Sequence, residues 1–496
     1  MTIAAWATRT TRTIAAASAL VCTVLSGCAS VGPDYKRPVV QTPATFSEQG
    51  PWKAATPGDL IARGDWWAVF GDPVLDGLEK RALNDSPTLM AYAARVDRAR
   101  AVAGIAGSFM SPEVAIGGTA GRYRASRNRP DQPDKTPNNR DYESNVFRAP
   151  LVASYEVDVW GRMRRIVESA RAQTQSSVAE YQTVALTLES EIAGTYFRLL
   201  QTDEERRILA QSIALQRRGR DLVATRKAGG LASELDLSRV ETELALTEAG
   251  AEDANRRRDD LQLALRLLVG APAGSFQLPA ASFEASPPPI PIGLPSDLLE
   301  RRPDVAAAER TLMARNAEIG VATAAYYPSF RLTGGAGFES SDLGDFLKPD
   351  SLIWNLVGSV FQPIFNGGRI GFDVARAKAA YAESESNYRG RLLQAFREVD
   401  GSLAGLRNLD TQAQFQTTAR QKATRSVQLA EIRYRAGLVN VLEVIDAQRT
   451  ALRAEREALS VKGDQFASTI SLVKALGGGW SPRDAAAVNG PVALQK

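Results

Sequence analysis

The sequence predicts a mainly α-helical chain with a membrane β-barrel, built from two internal repeats. Three observations predict this fold class: motifs that recur at constant spacing, two long proline-free stretches, and two pairs of short segments in which apolar and polar residues alternate. The elements follow one another in the same order in both repeats.

The repeats are defined by residues that recur at a constant offset. An offset of 216 positions relates Pro87, Pro112 and Gly118 to Pro303, Pro328 and Gly334. An offset of 207 positions relates Gly161, Gly230, Leu235 and Gly270 to Gly368, Gly437, Leu442 and Gly477. We therefore assign the first repeat to residues 67–270, a linker with seven prolines to 271–296, the second repeat to 297–478 and a tail to 479–496.

Each repeat opens with a predicted helix, over 85–110 or 303–326, that runs into two predicted membrane strands. The first strand begins at Pro112 or Pro328, and the second follows a loop. The apolar residues that share one strand face are Phe330, Leu332, Ala336 and Phe338, then Phe147, Leu151, Tyr155 and Val157, and then Trp354, Leu356 and Val360. Runs of about ten residues fit a tilted membrane strand.

The proline-free stretches 162–228 and 369–436 predict two very long helices, because they are rich in Ala, Glu, Arg, Leu and Gln. A glycine break, Gly229-Gly230 or Gly437, then turns the chain into another helix over 232–269 or 440–476. In the last helix a coiled-coil stripe recurs every seven residues, at Ile445, Leu452, Leu459, Phe466 and Val473.

Four membrane strands per chain cannot close a barrel, and open sheet edges are not tolerated in hydrocarbon. Closure needs about eight strands or more, so several copies must combine their strands. A dimer would supply eight strands and a trimer twelve. The residues alone leave both possible.

Composition excludes several other classes of function. The formal net charge is +4, and Arg9 and Arg12 contribute to it from a segment that we expect to be removed, so a nucleic-acid partner is not indicated. Histidine is absent, which removes the commonest general base and metal ligand. No catalytic or nucleotide-binding motif occurs. We expect no enzyme activity, no metal and no cofactor.

The N-terminus predicts a signal peptide over residues 1–27. Arg9 and Arg12 precede an apolar run from Ile14 to Leu25, which is too short to span a bilayer. Leu25-Ser26-Gly27-Cys28 resembles the bacterial lipobox, which implies cleavage before Cys28 and a covalent lipid on that residue. Residues 28–66 then form a lipid-anchored extended segment, and Ala29 after the cysteine implies sorting to the outer membrane.

Three sequence stretches resemble the TolC-type outer-membrane factor family, in its lipoprotein branch that includes NodT and OprM. They are CASVGPDYKRP from Cys28, PIGLPSDLLERRPD over 291–304 and YRAGLVNVLEVIDAQ over 434–448. The resemblance implies a homotrimer with a twelve-stranded outer-membrane barrel that continues into a periplasmic α-helical barrel. It also implies docking to a periplasmic adaptor protein and to an inner-membrane pump, usually of the resistance–nodulation–division class.

The same resemblance assigns roles to residues at the turns of the helical hairpins. Leu442, Glu443 and Asp446 match positions that constrict the pore, and the alternative is a solvated helix face. Asp236 and Tyr434 match a latch between hairpins, and each could instead satisfy only local groups. Arg226, Gly230 and Gly437 match the tips that contact the adaptor, and the alternative role of the glycines is to make the turns.

The two loops expected outside the cell differ in charge. Residues 122–141 sum to +3 and residues 339–350 to −3. We hypothesise that they pair around the mouth of the channel, although solvated loops among lipopolysaccharide would explain the charges equally well.

Three functions agree with the sequence. The first is the outer-membrane channel of an efflux system for drugs or other small molecules. The second is the same channel serving type I protein secretion, and the third is a periplasmic coiled-coil scaffold lipoprotein with no pore. The lipobox and the 291–304 stretch favour efflux.

Overall fold

A computed structural model of the chain describes residues 30–39, 65–124, 143–274, 276–290 and 302–478. The predicted signal peptide, Cys28, most of the 122–141 loop and the 479–496 tail lie outside the described residues. None of the helices in the described ranges combines the length and hydrophobicity needed to span a bilayer.

The structure is mostly helical with one antiparallel sheet, and its elements follow the predicted order. In the first repeat they are a 3₁₀ turn (Trp66–Phe70), α1 (Pro73–Asp85), α2 (Pro87–Ser108), β1 (Glu113–Ile116), β2 (Thr119–Arg124), β3 (Glu143–Val157), α3 (Arg162–Ala228) and α4 (Glu234–Leu268). In the second they are α5 (Pro303–Ala324), β4 (Ser329–Ser340), β5 (Leu352–Phe361), α6 (Arg369–Arg435) and α7 (Val441–Ala475).

The helices agree with the sequence prediction to within about two residues at most ends. Helix α1 was not predicted, and it forms because Asp72 caps it by accepting from the Val74 and Leu75 N–H groups at 2.8 and 3.1 Å. Strand β3 has 15 residues where about ten were expected. The extra residues extend the hairpin with β2, up to the pair Arg124 and Glu143.

The chain divides into two compact units. The first comprises residues 1–38, 97–175 and 309–386 and contains all the described strands. Their order is β1-β3-β4-β5, with β2 also paired to β3, and every pairing is antiparallel. The sheet is therefore four strands wide, as predicted, with the first strand interrupted.

The interruption lies opposite Pro150. Strands β1 and β2 keep one register along β3, with Ile116 opposite Leu151 and Thr119 opposite Arg148. Proline has no N–H to donate, so the ladder between them loses a bond, although the Gly117 N–H still donates to the Pro150 carbonyl at 3.0 Å. On the other side Gly337 faces Pro150, and a Cβ there would lie 2.3 Å from the Ala149 carbonyl oxygen.

Residues 30–38 are bound tightly to the rest of the first unit. A Cβ on Gly32, whose φ is +94°, would lie 2.5 Å from the Gly320 Cα, so the two backbones are in direct contact. The polar contacts of the segment are Val31 N–H to the Trp160 carbonyl at 3.0 Å, Asn316 to the Pro33 carbonyl at 2.9 Å, Arg165 to Asp34 at 2.7 Å, and Arg37 to Glu309 at 2.7 Å. This part of the predicted extended segment is therefore anchored at several points.

The second unit comprises residues 39–96, 176–308 and 387–496 and is made of helices. Its core is an aromatic cluster in which Phe197 and Phe466 lie 4.4 Å apart between ring centroids, with Phe70 and Phe283 beside them. Four residues of the predicted heptad stripe are buried, namely Ile445, Leu459, Phe466 and Val473, while Leu452 is half-buried. The stripe is the packing face of α7.

Arg302, from the 291–304 stretch, connects three helices of this unit. Its side chain is buried and pairs with Asp304 and with Glu398 of α6, each at 2.7 Å. It also donates to the Ala475 carbonyl at the end of α7, at 3.1 Å. A buried guanidinium needs all these partners, because an unpaired charge in the core is costly.

Two glutamates of the second unit lie buried near one another. Glu79 has no exposed surface, and neither of its carboxyl oxygens has a hydrogen-bond partner in the described structure. Burial, and then the charge of Glu189, raise the pKa of Glu79 to about 10. Burial also raises the pKa of Glu189 to about 7, although Trp66 donates to it at 2.7 Å. At neutral pH Glu79 is therefore protonated.

We expect Glu79→Gln to stabilise the protein at pH 8 and to have little effect at pH 4.5. The folded chain holds a proton that the unfolded chain releases above its ordinary pKa of 4.5. The native protein therefore loses stability as the pH rises from there toward 10, by up to roughly 1.4 kcal/mol per pH unit. Thermal denaturation followed by circular dichroism at both pH values measures this. The exposed Glu180→Gln in α3 is the control, and equal effects of the two variants would contradict the prediction.

Candidate functional site

The predicted site residues other than Cys28 all lie where the two helical hairpins of the second unit turn. Gly230 and Gly437 adopt φ of +72° and +76°, which L residues rarely adopt. In the first turn the Leu231 N–H donates to the Arg226 carbonyl at 2.8 Å. In the second turn the Leu438 N–H donates to the Arg433 carbonyl at 2.9 Å. Both glycines thus close the same C-terminal capping motif.

The helices after the turns begin with related but unequal caps. Ser233 accepts from the Asp236 N–H at 3.1 Å, and Asp236 accepts from the Ser233 N–H at 3.0 Å and from its hydroxyl at 2.7 Å. These bonds hold the pKa of Asp236 below its ordinary value. In the second hairpin Asn440 accepts from the Glu443 N–H at 3.3 Å, and the Glu443 carboxylate points elsewhere. Asp236, predicted as a latch residue, is thus engaged in its own cap.

A small apolar core lies beneath the turns and joins the two hairpins. Tyr434 is 9% exposed and packs with valines from α3, α4 and α7. The buried members are Val223, Val240, Ala430, Tyr434, Val441, Val444 and Ile445. The ring of Tyr434 thus belongs to the packing of the site.

Arg226 connects the first hairpin to the second. Its guanidinium lies 4.5 Å from the centre of the Tyr434 ring, a cation–π contact. It also donates to the carbonyls of Tyr434 and Arg435, both at 3.3 Å. These carbonyls belong to the last turn of α6, where a helix carries partial negative charge.

The predicted gate residues are exposed on the first turns of α7. Leu442 is 39% exposed, and Glu443 and Asp446 also face solvent. Arg433 pairs with Glu443 at 2.7 Å. Sequence reasoning missed Arg433, although it stands 207 positions after Arg226 and is its counterpart in the repeat.

Two leucines project from the turns themselves. Leu231 is 81% exposed and Leu438, its counterpart in the second repeat, is 71% exposed. Each turn therefore presents one exposed leucine at the equivalent position of its repeat. Among the described residues no cluster of three His, Cys, Asp or Glu could hold a metal ion.

Comparison with known proteins identifies the family. The model of the family described as outer membrane efflux protein matches residues 78–271 and 294–478. The chain belongs to this outer membrane efflux protein family. It is 35% identical to the pyoverdine export outer membrane protein OpmQ of Pseudomonas putida over 88% of this chain and 94% of the relative. It is 30% identical to the outer membrane protein OprJ of Pseudomonas aeruginosa, over 93% and 95%.

The structure is also similar to that of a solved outer-membrane channel, OprN. The TM-score is 0.84 at 26% identity, and the match covers 91% of this chain and all of the other. The predicted fold class and family are therefore confirmed. The chain is an outer-membrane channel of the kind that serves efflux systems.

We expect Arg226→Ala to loosen the contact between the hairpins. It removes a cation–π contact and two hydrogen bonds to carbonyls, which together stabilise the turn region by about 1–3 kcal/mol. Hydrogen exchange followed by mass spectrometry should show faster exchange of the amides at 430–437.

Arg433→Ala is the matched control, because Arg433 occupies the equivalent position of the other repeat. It loses a partly exposed ion pair, with side chains 53% and 44% exposed, so the expected loss is below about 1 kcal/mol. Equal acceleration of exchange in both variants would show that Arg226 does not connect the hairpins.

Proposed function

We propose that three copies of this chain close a twelve-stranded outer-membrane barrel that continues into a periplasmic helical tube. Drugs or other small molecules pass through it to the exterior, and the chain does no bond chemistry. The relative at 35% identity is named for export of pyoverdine, which supports a small-molecule cargo.

The edges of the sheet carry this proposal. Strands β1 and β2 pair only with β3, and β5 pairs only with β4, so both sides of the described sheet end in unpaired backbone. Hydrocarbon cannot hydrogen-bond such an edge, so β5 of one copy must pair with β1 and β2 of the next. Pairing of this head-to-tail kind generates a ring.

The N-terminal segment supports a lipid anchor at Cys28. The Val31 N–H donates a hydrogen bond to the Trp160 carbonyl, just after β3 ends. The ring of Trp160 stacks on that of Tyr327, with 4.8 Å between the ring centroids. Aromatic pairs of this kind favour a membrane surface. Cys28 stands three residues before Val31, so the chain can place it within about 11 Å of this level.

The gate is proposed at the first turns of α7. Threefold symmetry would bring three copies of Leu442, Glu443 and Asp446 toward one axis, where clustered carboxylates attract cations. Arg433 already pairs with Glu443, whereas Asp446 forms no ion pair among the described residues, although Arg449 is near enough to interact with its charge.

The hairpin turns are proposed to dock a periplasmic adaptor protein. Gly230 and Gly437 shape the turns, Arg226 holds them together, and Leu231 and Leu438 offer the apolar contact. The adaptor in turn would connect the channel to an inner-membrane pump, which we propose to be of the resistance–nodulation–division class. The latch between Asp236 and Tyr434 would require Asp236 to leave its cap.

Native mass spectrometry of the detergent-solubilised protein tests the assembly. We expect a trimer whose released chain begins at Cys28 and carries lipid, and we expect cation-preferring conductance in planar bilayers. Cys28→Ser should remove the lipid and preserve the trimer, whereas Asp446→Asn should lower the preference for cations. A stable monomer without conductance would refute the channel assembly.

Photo-crosslinking in intact cells tests docking. A photoreactive amino acid at Leu438 should capture one periplasmic adaptor protein, because this side chain projects from the turn. The same amino acid at Leu267, 79% exposed near the other end of α4, is the control. Capture of unrelated proteins at both positions would count against a docking role for the turns.

A further inference from the structure

A cavity of about 220 Å³ lies between the two hairpins, beside the turns. Residues of α3, α4, α6 and α7 all line it, so both repeats contribute to its wall, and it is partly open to solvent. One part of its wall is apolar, formed by Leu222, Val223, Val240, Val444 and Ile445. A cavity of this size holds a one-ring organic molecule, and apolar walls favour such a guest over water.

The other part of the wall is polar and includes a buried amide and two carboxylates. Gln216 is 5% exposed, and its Oε1 accepts no hydrogen bond in the described structure. Glu243 is 7% exposed and Glu431 is half-buried. All three groups can accept hydrogen bonds, and the Oε1 of Gln216 is available to accept one from a ligand. The same wall also carries the N–H donors of Arg218, Arg435 and Gln448.

The arginines near the cavity do not remove its negative character. Arg449 pairs with Glu243 at 2.6 Å, but its side chain is 57% exposed while that of Glu243 is 10% exposed. Arg435 and Arg218 line the cavity themselves, but both side chains are exposed. Arg435 lies 3.8 Å from Glu431 and is 72% exposed, against 25% for the acid. The positive charges are therefore in solvent and the negative ones are inside, where interactions are screened less.

We propose that this cavity binds a small amphipathic organic cation. An apolar body fills the space against the valines and Ile445, and an ammonium group donates hydrogen bonds to the acceptors on the polar wall. The ligand lies within the helical wall of the channel and is distinct from cargo in the pore. Because both hairpins bound the cavity, an occupied cavity stabilises their packing.

Calorimetric titration of the full-length protein in nanodiscs tests this proposal. The probe is phenethylamine at pH 7, with the neutral 2-phenylethanol and the anionic phenylacetate as matched compounds. We expect saturable binding of the amine at least about tenfold tighter than of either matched compound, because only the amine supplies a charged donor.

Two variants and a control locate the binding. Glu243→Gln should weaken phenethylamine binding about tenfold with little effect on 2-phenylethanol, and Gln216→Leu should weaken it about fivefold. Glu205→Gln is the control, because Glu205 pairs with Arg456 at 2.7 Å in the same helical unit but lines a different cavity. Circular dichroism melts show that each variant is folded.

Three results would overturn the proposal. These are equal binding of the three compounds, no saturable binding of the amine to the folded protein, and an equal loss of affinity in Glu205→Gln. A trimer that conducts ions but does not bind the amine would leave the channel function intact and remove only this site.

Discussion

The structure depends on the requirement that backbone N–H and C=O groups be paired where water is absent. One copy supplies a sheet that is four strands wide, with unpaired edges at β1 and β2 and at β5. The same requirement also affects how the strands pair inside the sheet. Pro150 interrupts one ladder, and Gly337 is the residue whose lack of a side chain lets the neighbouring strand approach that proline. Within the described residues one copy leaves both edges unpaired, which is the reason for the proposed assembly of several copies.

The helical unit is aligned by charge pairs that cross between the repeats. Arg449 of α7 pairs with Glu243 of α4, and Arg456 of α7 pairs with Glu205 of α3. Both carboxylates are nearly buried. Loss of Arg449 would leave Glu243 without an ion-pair partner among the described residues, which costs more than the pair contributes, whereas Glu205 would still pair with Arg257 at 2.9 Å. Apolar heptad stripes alone would allow two packed helices to shift by seven residues along one another, and these ion pairs oppose that shift. Arg302 likewise joins α5, the middle of α6 and the end of α7.

The second repeat was easier to predict than the first. Its strand β4 runs unbroken over 12 residues, and its alternation of apolar and small residues is clear. In the first repeat the break opposite Pro150 could have been inferred, because the proline was visible within a predicted strand. Helix α1 was missed although its start carries a readable signal, an aspartate cap followed by proline. The long helices were predictable because nothing in them ends a helix.

The sequence predicted where the two helical hairpins turn, but it did not predict which residues contact one another there. The glycines at offset 207 fixed the turns, and resemblance directed attention to Asp236, Glu443 and Tyr434. Sequence could have shown that Ser233 and Asp236 form a capping box, because Ser-x-x-Asp before a helix is its signature. The contact of Arg226 with Tyr434 could not have been read from the chain, since 208 residues separate the two. Only the packing of one hairpin on the other brings them together.

The two hairpins are related by repetition but held differently, and the difference follows from two substitutions. In the first, Ser233 and Asp236 are short and bind one another, so the carboxylate is used within its own turn. In the second, Asn440 caps the helix alone, and Glu443 is one methylene longer and reaches Arg433 across the turn. An exposed ion pair is weaker than a closed capping box. The second hairpin is therefore the easier of the two to rearrange, and it is the one that carries all three predicted gate residues.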